Sequence, residues 1–77
     1  MKEILQTIIL NLVDNKEAVE IKEINNNEKS ITFEVKVAES DMGKIIGRQG
    51  RLAKSIRTVM KSVAGKEQKR VSVEFIG

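Results

Sequence analysis

The sequence predicts an α+β domain in the order α-β-β-α-α-β, with a three-stranded sheet and helices packed on one face. Two kinds of apolar periodicity and one glycine pair carry that prediction. Stretches near 17–24, 30–38 and 71–75 alternate apolar with polar side chains, the period of a half-buried strand. Stretches near 2–14 and 51–63 repeat apolar residues every three to four positions, the stripe of a helix. Gly47 and Gly50 punctuate the second half, between a short helical segment and a long one.

The first helix rests on Ile4, Leu5, Ile8, Ile9, Leu12 and Val13, which form one stripe over about residues 2–14. Val19 and Ile21 then alternate with Glu20 and Lys22, while Ile24 breaks the alternation, so this strand is expected to bulge or end there. Asn25, Asn26 and Asn27 supply the turn of an antiparallel hairpin. Ile31, Phe33, Val35 and Val37 form the apolar face of the second strand. Ser40 and Asp41 are suited to cap a short helix over about 41–46. After the glycines, Leu52, Ile56, Val59, Met60 and Val63 make the apolar stripe, and Gly65 is the expected C-terminal cap. Val71, Val73 and Phe75 face one side of the last strand. Each strand has one apolar face, which fits a sheet covered on one side by helices. The crossover from the second strand to the third is right-handed if those strands are parallel neighbours.

Seventy-seven residues predict a single domain, 1–77, with a thin core. There is no cysteine, so neither a disulfide framework nor a thiolate site is available, which suits a reducing cytoplasm. No apolar run reaches the ~20 residues that span a bilayer, and the amphipathic N-terminus does not read as a signal peptide. The net charge of +3 is unevenly divided. Residues 1–39 hold five Lys/Arg against eight Asp/Glu, a net of −3, whereas residues 40–77 hold nine against three, a net of +6. That asymmetry points to an anionic partner at the basic half.

Enzymatic chemistry finds little support. Without histidine or cysteine the commonest general base and the strongest nucleophile are missing. Asp41, Glu67 and Glu74 are not spaced as a carboxylate set, and neither a metal site nor a cofactor is predicted. Gly43, Gly47 and Gly50 match neither the P-loop nor the dinucleotide fingerprint. Binding is the better class. Gly47 and Gly50 bracket Arg48 and Gln49, with Lys44 before them and Arg51, Lys54, Arg57 and Lys61 after. Glycine allows a tight turn and close approach to a ligand, and a helix that starts at such a turn presents N–H groups and a positive dipole end to an anion. The fitting guest is a phosphate chain. Two binding readings remain at this point. A Gly-x-x-Gly loop can clamp about four nucleotides of single-stranded RNA; a helix-turn-helix would instead present Gln49 or Arg51 to a DNA major groove. RNA accounts for both glycines and for the sheet, whereas the DNA reading needs only one turn glycine.

The run IIGRQGRLAKSIRTVMKSVA resembles the signature of a KH domain, with Gly47-Arg48-Gln49-Gly50 as its loop, and the element order resembles the type II KH fold. At this length the chain resembles the bacterial KhpA family of small RNA-binding proteins. The resemblance implies a mixed three-stranded sheet and a cytoplasmic single-stranded-RNA binder of broad specificity, with an RNA-chaperone or post-transcriptional role linked to cell elongation and division. It also implies a homodimer, or a heterodimer with a larger KH-containing protein.

The groove implied by the resemblance runs along Lys44, Ile45 and Ile46, the loop Gly47, Arg48, Gln49 and Gly50, and the start of the next helix at Arg51, Leu52 and Lys54. Chemistry suggests the division of labour. Arg48, Arg51 and Lys54 neutralise phosphates, and Ile45, Ile46 and Leu52 give bases an apolar floor, although Leu52 also belongs to the helix stripe. Either the loop at 25–29 or that at 65–69 closes the far side. A dimerisation role is the remaining alternative, with Ile46 and Ala53 as an expected apolar patch. The chain has no Trp or Tyr, and Phe33 and Phe75 fall on apolar strand faces, so base–aromatic stacking is not expected.

Overall fold

The computed structural model describes residues 1–76, the side chain of Arg48 lying outside that description. Helix α1 spans Lys2–Leu12, strand β1 Glu20–Asn27, strand β2 Ser30–Lys36, the helical region α2 Glu39–Lys66 and strand β3 Arg70–Ile76. A short 3-10 turn at Lys16–Ala18 links α1 to β1. The sheet order is β1-β2-β3, with β1 antiparallel to β2 and β3 parallel to β2. It is therefore the mixed sheet of the predicted α+β fold.

Region α2 is two helices in one run. Gln49 and Gly50 both take positive φ, 63° and 69°, which a right-handed helix does not tolerate. Residues 39–48 form a short arm before this break and residues 51–66 a long arm after it. The element order is α-β-β-α-α-β, as the sequence predicts.

The core lies between the sheet and the helices. Leu5, Ile9 and Val13 meet Ile31, Phe33 and Val35 of β2, Val71 and Val73 of β3, and Met42, Ile45, Ala53, Ile56, Met60 and Ala64 of α2. Phe33 and Val35 sit on the central strand and are fully buried. The stripes are shifted from the sequence expectation. Ile4 and Val59 are exposed, whereas Ala53 and Ala64 are buried, because small side chains let the long arm approach the sheet closely. Ala53 is thus core, not part of a surface patch.

Four local expectations are corrected. Strand β1 does not end at Ile24; of the two expected outcomes it bulges, just beyond that residue. Ile21 pairs with Val35 on the core side and Ile24 with Thr32 on the opposite side, and the ladder continues to Asn27 with a register shift between Asn25 and Asn27. The asparagines therefore belong to the strand, and the turn falls on Glu28-Lys29, where the Lys29 N–H donates to Asn27 Oδ1 at 2.8 Å. Neither Ser40 nor Asp41 caps the short arm; the N-cap is Ala38. Nor is Gly65 the left-handed cap of the long arm, since that conformation falls on Gln68, at φ 57°. There the Lys69 N–H donates to Ala64 O and the Gln68 N–H to Gly65 O, a Schellman closure.

Candidate nucleic-acid interface

The short arm is anchored from behind by Asp41. Its side chain is 1% exposed, yet both oxygens are satisfied: the Asp14 N–H donates to Oδ1 and the Asn15 N–H to Oδ2, each at 3.0 Å. These bonds stabilise the carboxylate form and hold the Asp41 pKa below its ordinary value, with Lys44 and Lys16 adding attraction. Asp41 thereby does at long range the work that its sequence position advertises locally: it caps the chain leaving α1. Lys44 stands one turn further on. Its Nζ lies 2.8 Å from Asp14 Oδ2 and 3.9 Å from Asp41 Oδ1, and the bond to Asp14 raises its pKa.

In front of this anchor lies a cleft of about 560 Å³ lined by Gly43, Lys44, Gly47, Arg51, Leu52 and Ser55. A Cβ built on Gly43, Gly47 or Gly50 would meet nothing within 4 Å. Packing therefore requires none of these glycines, and backbone conformation requires only Gly50, at its positive φ. The bare Cα atoms of Gly43 and Gly47 leave open space within the cleft wall. The long arm begins at the loop, so the positive end of its dipole is there.

The structure separates the predicted site residues by position. Lys44, Gly47, Arg51 and Leu52 share the cleft. Lys54 stands beside it with Arg51, Ser55, Thr58 and Val59. Gln49 is exposed at the loop and Gly50 forms its turn; the Arg48 side chain is outside the described residues. Ile46 is 49% exposed, but Ile45 is 1% exposed and sits in the core. Ile45 consequently seats the loop on the core and has no surface to offer a base.

A second cleft, about 280 Å³, follows the long arm away from the loop and is lined by Arg57, Lys61, Val71, Ser72, Val73 and Glu74. A third continues past Lys61, Lys69, Arg70, Val71 and Ser72. The 65–69 loop therefore borders the long-arm side, because β3, one of the two edge strands, packs beside α2. The 25–29 loop is at the end of the β1–β2 hairpin, outside this line of clefts. Sequence places Arg57 only on a basic helix face. Its Nε donates to Val73 O at 3.0 Å, and its guanidinium carbon lies 5.6 Å from the Phe75 ring centroid. Sequence carries no signal for this contact, since it depends on β3 lying against α2.

A βααβ unit with a Gly-x-x-Gly loop between its helices, extended by an N-terminal helix and strand, defines a KH domain of type II topology. The family model described as "KhpA/KhpB, KH domain" matches residues 2–75, and the chain belongs to that family. It is 55% identical over 76 residues to the RNA-binding protein KhpA of Clostridium acetobutylicum, covering 99% of this chain and 100% of that one. The RNA-binding protein KhpA of Chlamydia pneumoniae is 50% identical over 76 residues, covering 99% of this chain and 96% of its own. That of Borreliella burgdorferi is 42% identical over 74 residues, covering 96% and 89%.

Proposed function

We propose that this chain binds single-stranded RNA without catalysing a reaction, clamping about four nucleotides through their backbone at the Gly47–Gly50 loop. The observation that carries the reading is Gly47. Neither packing nor backbone angle demands glycine there, and its bare Cα opens onto a cleft flanked by Lys44 and Arg51. Arg48, Gln49, Arg51 and Lys54 supply charge and hydrogen bonds to phosphates, while Leu52 and the exposed face of Ile46 supply apolar contact. Bases then extend along the long arm toward β3. The names of the relatives support RNA over duplex DNA. Phe33 is buried and Phe75 lies under Arg57, which favours weak, salt-dependent binding over stacking.

The test is the double substitution Arg48→Asp and Gln49→Asp. Binding of a short unstructured RNA is lost while circular dichroism and Tm are little changed. Retained affinity in the folded variant overturns the loop as the site, and preference for duplex DNA returns the helix-turn-helix reading. With three or four phosphates neutralised, log K falls against log salt with a slope of roughly −2 to −3.

The same proposal includes a cytoplasmic location, an RNA-chaperone or post-transcriptional role connected with cell elongation and division, and pairing with a second KH-containing chain. Two exposed aliphatic side chains on α2, Ile46 and Val59, are available for such pairing. A second groove raises the effective concentration at the first. Sedimentation at micromolar concentration with and without RNA tests it; a monomer throughout removes self-association.

A further inference from the structure

Resting on the RNA-binding reading, we infer that Arg57 is a specificity-determining residue that selects, at one position of the strand, a base with two adjacent hydrogen-bond acceptors. Arg57 is exposed on the long arm, yet its guanidinium is fixed from two sides, by the Val73 carbonyl and by the Phe75 ring. The 5.6 Å separation is within cation–π range. The bond to Val73 uses Nε, so the two terminal amino groups, with their parallel N–H pair, remain available. Neither has a hydrogen-bond partner among the described residues, and no carboxylate among them forms an ion pair with Arg57.

The sheet register makes this consequential. Arg70, Ser72, Glu74 and Ile76 alternate with Val71, Val73 and Phe75, and the Arg70 N–H bonds toward β2, to the O of Lys29 just before that strand. In a parallel ladder the alternate residues turn their backbone groups to the open edge. Val73 O is thus an edge acceptor that would otherwise be free to receive a base amino group. Arg57 occupies it. The middle of the cleft is left with donors: the Val73 N–H and the guanidinium fork.

A fork of two donors recognises two neighbouring acceptors. Guanine offers N7 and O6, and cytosine offers N3 and O2. Adenine interposes its amino group between N1 and N7, and uracil interposes N3–H between its carbonyls, so neither supplies the pair. The cleft selects guanine or cytosine over adenine or uracil at this step, whereas the phosphate contacts at the loop are indifferent to sequence.

Labelled nine-residue oligocytidylate and oligouridylate, both pyrimidine strands that do not self-pair at neutral pH, test this by fluorescence anisotropy against the full chain. The wild type binds the cytidine oligomer tighter by roughly fivefold or more, the discrimination of one good bidentate contact. Arg57→Met, which keeps the aliphatic stem, and Arg57→Lys, which keeps the charge, both bring the ratio to within about twofold of unity, because neither presents a planar fork. Equal binding of the two oligomers by the wild type overturns the inference. So does an equal loss of both in Arg57→Met, which makes Arg57 a phosphate contact. Failure of both oligomers to bind the wild type overturns the RNA-binding reading itself.

Discussion

Lys44 Nζ lies 2.8 Å from Asp14 Oδ2, so the cation that lines the glycine cleft is engaged by an acid just past the C-terminus of α1. The Asp14 side chain is 86% exposed, and such a pair contributes little to stability. Its effect falls on the ligand, because Asp14 and an incoming phosphate compete for one ammonium. Asp14→Asn is therefore expected to leave Tm nearly unchanged and to tighten RNA binding. The salt slope should steepen by about 0.7, one more phosphate neutralised on a single strand. Weaker binding in this variant would show that Lys44 needs Asp14 to hold it in place.

The buried Asp41 makes folding sensitive to acid. Its carboxylate has a lower pKa folded than unfolded, chiefly through the N–H groups of Asp14 and Asn15. The unfolded chain therefore binds the proton more readily, and the stabilisation is present in full above the ordinary value of 3.8. It is lost as pH falls from there through the folded pKa. Asp41→Asn should lower Tm at neutral pH and flatten the acid limb of a Tm-against-pH curve below about pH 4. An unchanged acid limb would assign the sensitivity to other carboxylates.

The end of the long arm is suboptimal at two positions. Gly65 is helical and a Cβ there meets nothing, so Gly65→Ala should stabilise by about 0.5–1 kcal/mol. Gln68 takes the left-handed conformation that glycine adopts freely. Gln68→Gly should gain about 0.5–1 kcal/mol net of the extra chain entropy of glycine. For a domain of this size each kcal/mol raises Tm by about 4–8 °C. A fall in Tm for Gln68→Gly would mean that the Gln68 side chain contributes more than its backbone costs.

Gly43 separates stability from binding. It is in the short arm, a Cβ there meets nothing, and it lines the cleft. Gly43→Ala should raise stability by about 0.5–1 kcal/mol, the usual gain in a helix interior, while weakening RNA binding by narrowing the cleft. Unchanged affinity in this more stable protein would place the RNA path clear of the short arm.

What the sequence determined by itself is what depends on neighbours in the chain. Strand and helix periodicities fixed the six elements, because alternation and the three-to-four repeat are local consequences of backbone geometry. The glycine pair and its basic flanks marked the loop for the same reason, since flexibility and charge belong to the residues themselves. Only the tertiary structure decided the rest. Ile45 and Ile46 are equivalent in sequence, yet one is core and the other exposed, because a helix turns about 100° between them. Asp41 reads as a helix cap until the fold brings Asp14 and Asn15 to its carboxylate, where burial makes those bonds necessary. The placement of β3 beside α2 put the 65–69 loop, and not the 25–29 loop, along the line of clefts. That placement also set Arg57 on the Val73 carbonyl, sixteen residues away, a contact made by packing across the fold and invisible to any local pattern.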